Sequence, residues 1–179
     1  MEAKSGAGGA KNRLDALDAR RTLTRILTEN VVPFWSARVV DLEEGGYRTN
    51  HDRYGICKGR ADKHLITQAR VVWFFSRLAG TPYGRATDLK VAEHGYLFLR
   101  DCMWDRQFGG FFWEVDPSGS RPTRPGKHVC AQTYGLYGLA EYARASGDSG
   151  AATLRQRAVQ PAGTCSRPDP WRIPRVFPA

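Results

Sequence analysis

Apolar residues near the start of the chain fall at Leu14, Leu17, Leu23, Ile26 and Leu27, close to helical spacing among many charges. That pattern predicts a helix with one wet face. From Leu65 to Leu78 the sequence LITQARVVWFFSRL is apolar nearly all the way round, which predicts a helix surrounded by protein. Leu89, Val91, Ala92, Tyr96, Leu97 and Leu99 predict a second wet-faced helix, and VCAQTYGLYGLAEYA from Val129 a second dry one. Between them GGFFWEVDPSG combines aromatic alternation with a turn sequence and reads as a β-hairpin. Wet outer and dry inner helices in alternation predict an all-α fold, a curved array or ring of helical hairpins joined by Gly-Gly and β-hairpin loops.

The two helix pairs are copies of one unit. A shift of 64 residues places Asp41 on Asp105, Gly45-Gly46 on Gly109-Gly110, Asp52 on Asp116, Gly55 on Gly119 and Arg60 on Arg124. It also places Lys63-His64 on Lys127-His128, Gln68 on Gln132 and Ala79 on Ala143, ten identities in 39 positions where roughly two or three arise from composition. Two hairpins cannot close a ring, so apolar flanks should stay open for another chain or a second copy. Residues 1–12 are expected to be disordered, and residues 13–148 to form the partial ring of two repeats. Residues 149–179 should be a Pro/Arg-rich irregular tail, disordered or the product of a shifted reading frame, because a third outer helix is due there without a helical pattern.

Composition narrows the function classes. With 179 residues, 41% hydrophobic and 25% charged, the chain is an ordinary globular domain, and no apolar run is long enough for a membrane span. The N-terminus lacks the apolar core of a secretory signal, so the expected location is cytoplasmic. The net charge of +9 is interleaved with acids in the body and concentrated in the tail, without a nucleic-acid-binding motif, so no nucleic-acid partner is expected. Four cysteines without a C-x-x-C pair read as reduced, mostly buried thiols, and no metal-ligand spacing occurs.

LTRILTENVVPFW, the D-x-x-x-GGY turn, KHLITQARVVWFFSRLAG, VAEHGYLFLRDCMWDRQFGGFFWEVDPSG and KHVCAQTYGLYGLAEYARASGD together resemble the N-terminal part of the N-acylglucosamine 2-epimerase family, over residues 14–148. The family includes cellobiose 2-epimerases and aldose-ketose isomerases. The resemblance implies an incomplete (α/α)6 toroid, a mono- or disaccharide substrate, proton abstraction and return beside the sugar carbonyl, and no metal or cofactor. It also implies that the acid/base histidines lie in later hairpins, so no catalytic residue is assigned here and the chain should be inactive alone.

Arg70, in the driest helix, has two readings: a buried ion pair to Asp41 or Asp105, or a substrate contact. Its Gln68-Ala69-Arg70 context matches the family's Q-A-R motif, whose arginine faces the sugar's carbonyl end, and its repeat equivalent is Tyr134. Trp113 is a candidate platform for a sugar ring or a packed hairpin residue, with Tyr54 and Tyr134 weaker candidates of the same kind. His64 and His128 read as a shared packing or hydrogen-bonding device, His94 as structural, His51 as a loop residue, and the Gly-Gly pairs as backbone turns. Two other functions stay open: a glycoside hydrolase using Asp41 with Asp105 or Glu114 with Asp116, and a non-catalytic repeat module.

Overall fold

A computed structural model describes residues 7–159, with side chains from residue 15 onward. The chain forms two compact units, Met1–Arg38 and Val39–Ala179. The first is helical over its described residues: α1 (Ala7–Arg25), a π-helical stretch Ile26–Val31 and α2 (Val32–Arg38). Helix from Ala7 corrects the expected disorder of residues 1–12 for its second half. Alanine, lysine and arginine around the glycines favour helix there, and propagation from a formed turn adds a hydrogen bond per residue.

In the second unit the order is β1 (Lys63–His64), α3 (Leu65–Ala79), α4 (Asp88–Phe98) with a π-helical continuation Leu99–Met103, β2 (Glu114–Val115), β3 (Pro122–Arg124), α5 (Val129–Ser146) and α6 (Ser149–Val159). Helices α3 and α5 pack side by side, α4 lies against α3, and α6 against α5. Each dry helix thus packs most extensively on the other dry helix and next on the wet helix that follows it, across the short Gly80–Thr87 and Gly147–Asp148 connections. Leu65, Ala69, Val72 and Phe75 of α3 and Ala131, Leu139 and Tyr142 of α5 are buried in the core, and Tyr96 stacks on Tyr142 at 4.6 Å.

Most identities of the repeat are the hydrogen-bonding and turn-forming parts of one loop built twice. Asp41 and Asp105 each take two backbone N–H groups on Oδ1, from Glu43 and Glu44 and from Gln107 and Phe108. The main chain closes through Asp41 N–H to Gly46 O and Asp105 N–H to Gly110 O, at 3.0 and 2.8 Å. Both glycines of each pair have positive φ (80° and 63°, then 69° and 73°), a conformation costly for any other residue. Lys63 and Lys127 then donate to the aspartates' second oxygens. The side-chain amides of Gln68 and Gln132 each pair with both backbone groups of the aromatic residue after the glycines, Tyr47 or Phe111, at 2.7 to 2.8 Å. Asp52 and Asp116 head the second pair of turns, which close at Gly55 and Gly119.

The hairpin read in GGFFWEVDPSG is present as β2 and β3, and β1 joins it in an antiparallel sheet of order β1-β2-β3. That sheet ties the start of α3 to the hairpin one repeat later.

Three further expectations need correction. The third outer helix arrives as α6, with Ala151 and Leu154 buried and Asp148 accepting the Ala151 N–H at 2.7 Å. Aspartate caps the free N–H groups of a first helical turn, and this cap with two buried apolar contacts outweighs a weak periodic pattern. The expected tail is therefore helical through Val159, and its proline-rich remainder lies outside the described residues. Helix α3 is not dry all round, since Arg70 and Arg77 are exposed. Nor are the described cysteines mostly buried: Cys57 and Cys130 are exposed and Cys102 half-buried, its thiol pushed up by desolvation, while Cys165 lies outside the described residues.

Candidate functional site

The sheet gathers a cluster at the starts of α3 and α5. Register places His64 opposite Glu114. His64 Nε2 lies 2.6 Å from Glu114 Oε2, with the carboxylate 7% exposed and the imidazole 46%. Glu114 Oε1 accepts from the Thr123 hydroxyl at 3.1 Å and pairs with Arg124 Nε at 3.5 Å. The neighbouring Trp113 is fixed by its backbone, accepting from Leu65 N–H at 2.9 Å and donating to Arg124 O at 3.1 Å. Its ring lies 4.6 Å from that of His128, and the Arg124 guanidinium 6.0 Å from its centroid.

Arg70 and Tyr134 each lie five residues beyond the first residue of their helix, about 7.5 Å along its axis at 1.5 Å per residue. They come together across the α3–α5 pair, the guanidinium 5.9 Å from the Tyr134 ring centroid. Arg70 is exposed rather than buried, and among the described residues no carboxylate lies within salt-bridge distance of it. The ion-pair reading fails because both aspartates are taken. Asp41 is held by Lys63 at 2.9 Å and Arg48 at 3.2 Å, and Asp105 by Lys127. Desolvation pushes each of these carboxyls up. The lysine hydrogen bond and the backbone N–H donors outweigh it and hold both below the ordinary range.

The same accounting finds both carboxylate pairs of the hydrolase reading engaged in local contacts. Glu114 is engaged by His64, Thr123 and Arg124, and Asp116 accepts from Ser118 and Ser120 within its own turn. His64 and His128 share a backbone role as extended residues before α3 and α5, but their side chains meet different partners, a carboxylate and an indole. His94 is structural, its Nε2 at 3.1 and 3.0 Å from the carbonyls of Asp41 and Gly46. Tyr54 sits exposed beneath the Arg53 guanidinium in the first turn. Sequence reasoning named Glu114 for the wrong chemistry and missed its pairing with His64, which depends on sheet register between repeats. Among the described residues no group of three His, Cys, Asp or Glu is placed to hold a metal ion, and no helix is long and apolar enough to cross a membrane.

What the arrangement offers is an exposed cation beside a phenol, and a half-buried indole flanked by an imidazole and a guanidinium.

Residues 45–166 match the model of the family described as N-acylglucosamine 2-epimerase (GlcNAc 2-epimerase). The cellobiose 2-epimerase of Ruminococcus albus is 35% identical over 135 residues, which cover 75% of this chain and 34% of that enzyme. Among solved structures, the cellobiose 2-epimerase of Spirochaeta thermophila superposes with a TM-score of 0.76 at 30% identity, over 82% of this chain and 35% of that one. A sugar epimerase from a ruminal bacterium superposes with a TM-score of 0.73 at 32% identity, over 77% and 35%. The chain spans about a third of the length of the relatives it matches.

Proposed function

This chain belongs to the N-acylglucosamine 2-epimerase family, and we propose that it supplies the first hairpins of an (α/α)6 toroid that epimerises or isomerises a free mono- or disaccharide in the cytoplasm. The reaction removes the proton beside the open-chain carbonyl and returns it, to the opposite face for a 2-epimer or to the neighbouring carbon for a ketose. Negative charge develops on the carbonyl oxygen as the proton leaves, and Arg70 is the group we assign to meet it. Trp113 provides an apolar face for a sugar ring. The two proton-transferring groups are assigned to hairpins outside this chain, so the chain alone is expected to give no turnover.

One observation carries this reading. Positions that agree between the repeats, Asp, Gly-Gly, Lys and Gln, are accounted for by the doubled loop scaffold. Arg70 and Tyr134 occupy equivalent positions, differ, and are not spent on that scaffold, yet they meet. A pair that the repeat does not need, on adjacent inner helices, is best explained by a ligand.

The test replaces the segment of the Ruminococcus albus cellobiose 2-epimerase that aligns with residues 39–146 by those residues. Cellobiose epimerisation is the expected activity of the chimera. Arg70→Ala should lower kcat by about 100- to 1000-fold, the usual cost of an oxyanion donor, while leaving the melting temperature unchanged. A folded chimera with equal activity in the Arg70→Ala form refutes the assignment.

A further inference from the structure

A pocket of about 450 Å³ lies between the end of the α4 helix and α6, on residues that the candidate site does not use. Arg100 and Asp101 come from the π-helical stretch Leu99–Met103, Trp104 and Arg106 from the chain that follows it, and Leu154 and Arg157 from α6. Three guanidiniums therefore line it against one carboxylate. Arg100 takes that carboxylate in a two-point pair at 2.8 and 2.7 Å, and Arg106 reaches it only at 3.5 Å. Arg157 is exposed, lies 5.7 Å from the centre of the Trp104 ring, and has no carboxylate within salt-bridge distance among the described residues. The lining keeps an excess of positive charge at Arg106 and Arg157.

Trp104, in the wall of that pocket, is 6% exposed, and its indole Nε1 is the one buried side-chain polar atom without a hydrogen-bond partner among the described residues. A buried N–H without an acceptor is destabilising, and an orphan of this kind calls for an explanation. The repeat shows that the fold does not require it. Subtracting 64 gives Val40, whose backbone bridges Tyr47 as that of Trp104 bridges Phe111. An apolar side chain is enough at that bridge in the first copy. Arg100, Asp101 and Arg106 fall on Ser36, Ala37 and Leu42, so none of these charges belongs to the repeated scaffold.

We infer that this pocket is a binding site for a phosphate group, held by Arg106 and Arg157 with the Trp104 indole N–H as a third donor. A phosphate group carries roughly −1.5 to −2 charge at neutral pH with three strong acceptor oxygens, and guanidinium forks match it in charge-assisted pairs. It supplies both things that the pocket lacks, a counter-charge and an acceptor. The Asp101 carboxylate opposes such a ligand least because Arg100 already neutralises it. The inference does not rest on the sugar chemistry of the proposed function, so the two fail separately.

The chain has five tryptophans, each giving one indole signal in a nitrogen–proton correlation spectrum, and the signal lost in Trp104→Phe identifies Trp104. Inorganic phosphate is titrated into the full 179-residue chain at constant ionic strength, with chloride as the balancing anion because any salt screens exposed charges. Saturable displacement of the Trp104 signal is expected, with a Kd of about 1 mM. Arg106→Gln and Arg157→Gln should each weaken binding about tenfold. Arg155→Gln, the same loss of charge on an exposed α6 residue outside the pocket, should leave it unaltered. Glucose 6-phosphate in place of the free ion separates the two sources of the group. Tighter binding assigns the pocket to a phosphate ester, and equal or weaker binding to the free ion. Residues 160–179 are present throughout, so a pocket that they fill gives no displacement. The inference is overturned by that result, by equal displacement in chloride alone, by parent-like affinity of Arg106→Gln or Arg157→Gln, or by an equal loss in Arg155→Gln.

Discussion

Gln68→Leu tests the doubled loop most directly. Gln68 is wholly buried, and its amide makes two 2.8 Å hydrogen bonds to the backbone of Tyr47, itself wholly buried. Leucine fills much of the same volume but strands one N–H and one C=O in a region without water. Each unsatisfied buried group costs about 1–3 kcal/mol, so two cost about 2–6 kcal/mol. The added apolar burial of leucine returns about 1–2 kcal/mol, leaving a net loss of about 0–5 kcal/mol, centred near about 2.5 kcal/mol. Gln132→Leu faces the same geometry at Phe111 and should lose the same amount. Gln156→Leu, on the exposed face of α6, should stay within about 0.5 kcal/mol of the parent. Urea unfolding followed by tryptophan fluorescence gives all three values by linear extrapolation. Losses below about 1 kcal/mol at both buried sites would falsify the claim that these amides hold the turns. A large loss at one site alone would show that the repeat is a likeness of sequence without equivalent energetics.

Acid should unfold the chain through its aspartates. Asp41 and Asp105 have folded pKa values below the unfolded value near 3.9, so their contribution is present above about pH 5 and is lost as pH falls through the folded values. A melting temperature flat above that range and falling below it is expected, and one that rises on acidification contradicts the pairing. Lys63→Met leaves Asp41 with Arg48 as its remaining cation and should cost about 3 kcal/mol at neutral pH, read by the same urea series. Asp148→Ala removes the cap of α6 and should cost about 1 kcal/mol, with faster amide exchange confined to residues 149–159. In the intact chain Gly138→Leu should separate α5 from α3 and abolish cooperative unfolding, whereas Gly147→Ala, beside open space but at positive φ, should cost about 1 kcal/mol.

Much of the architecture was legible because it is written twice. Local physics determined the helices α3, α4 and α5, the hairpin after Gly109-Gly110 and the turns at the glycine pairs, since periodicity, turn chemistry and positive φ act over a few residues. The repeat also marked Asp41, Lys63, Gln68 and their partners as a set. It could not say that they bond to one another, because those contacts span 21 or 22 residues. Sequence also singled out Arg70 by its difference from Tyr134, and misread its surroundings, because apolar neighbours along a helix do not reveal which side another helix covers. Tertiary structure alone decided that Arg70 is exposed against Tyr134, that Glu114 belongs to His64, and that α6 forms beyond the repeat. Register, helix–helix approach and burial are settled between segments distant in sequence, where no single segment carries the information.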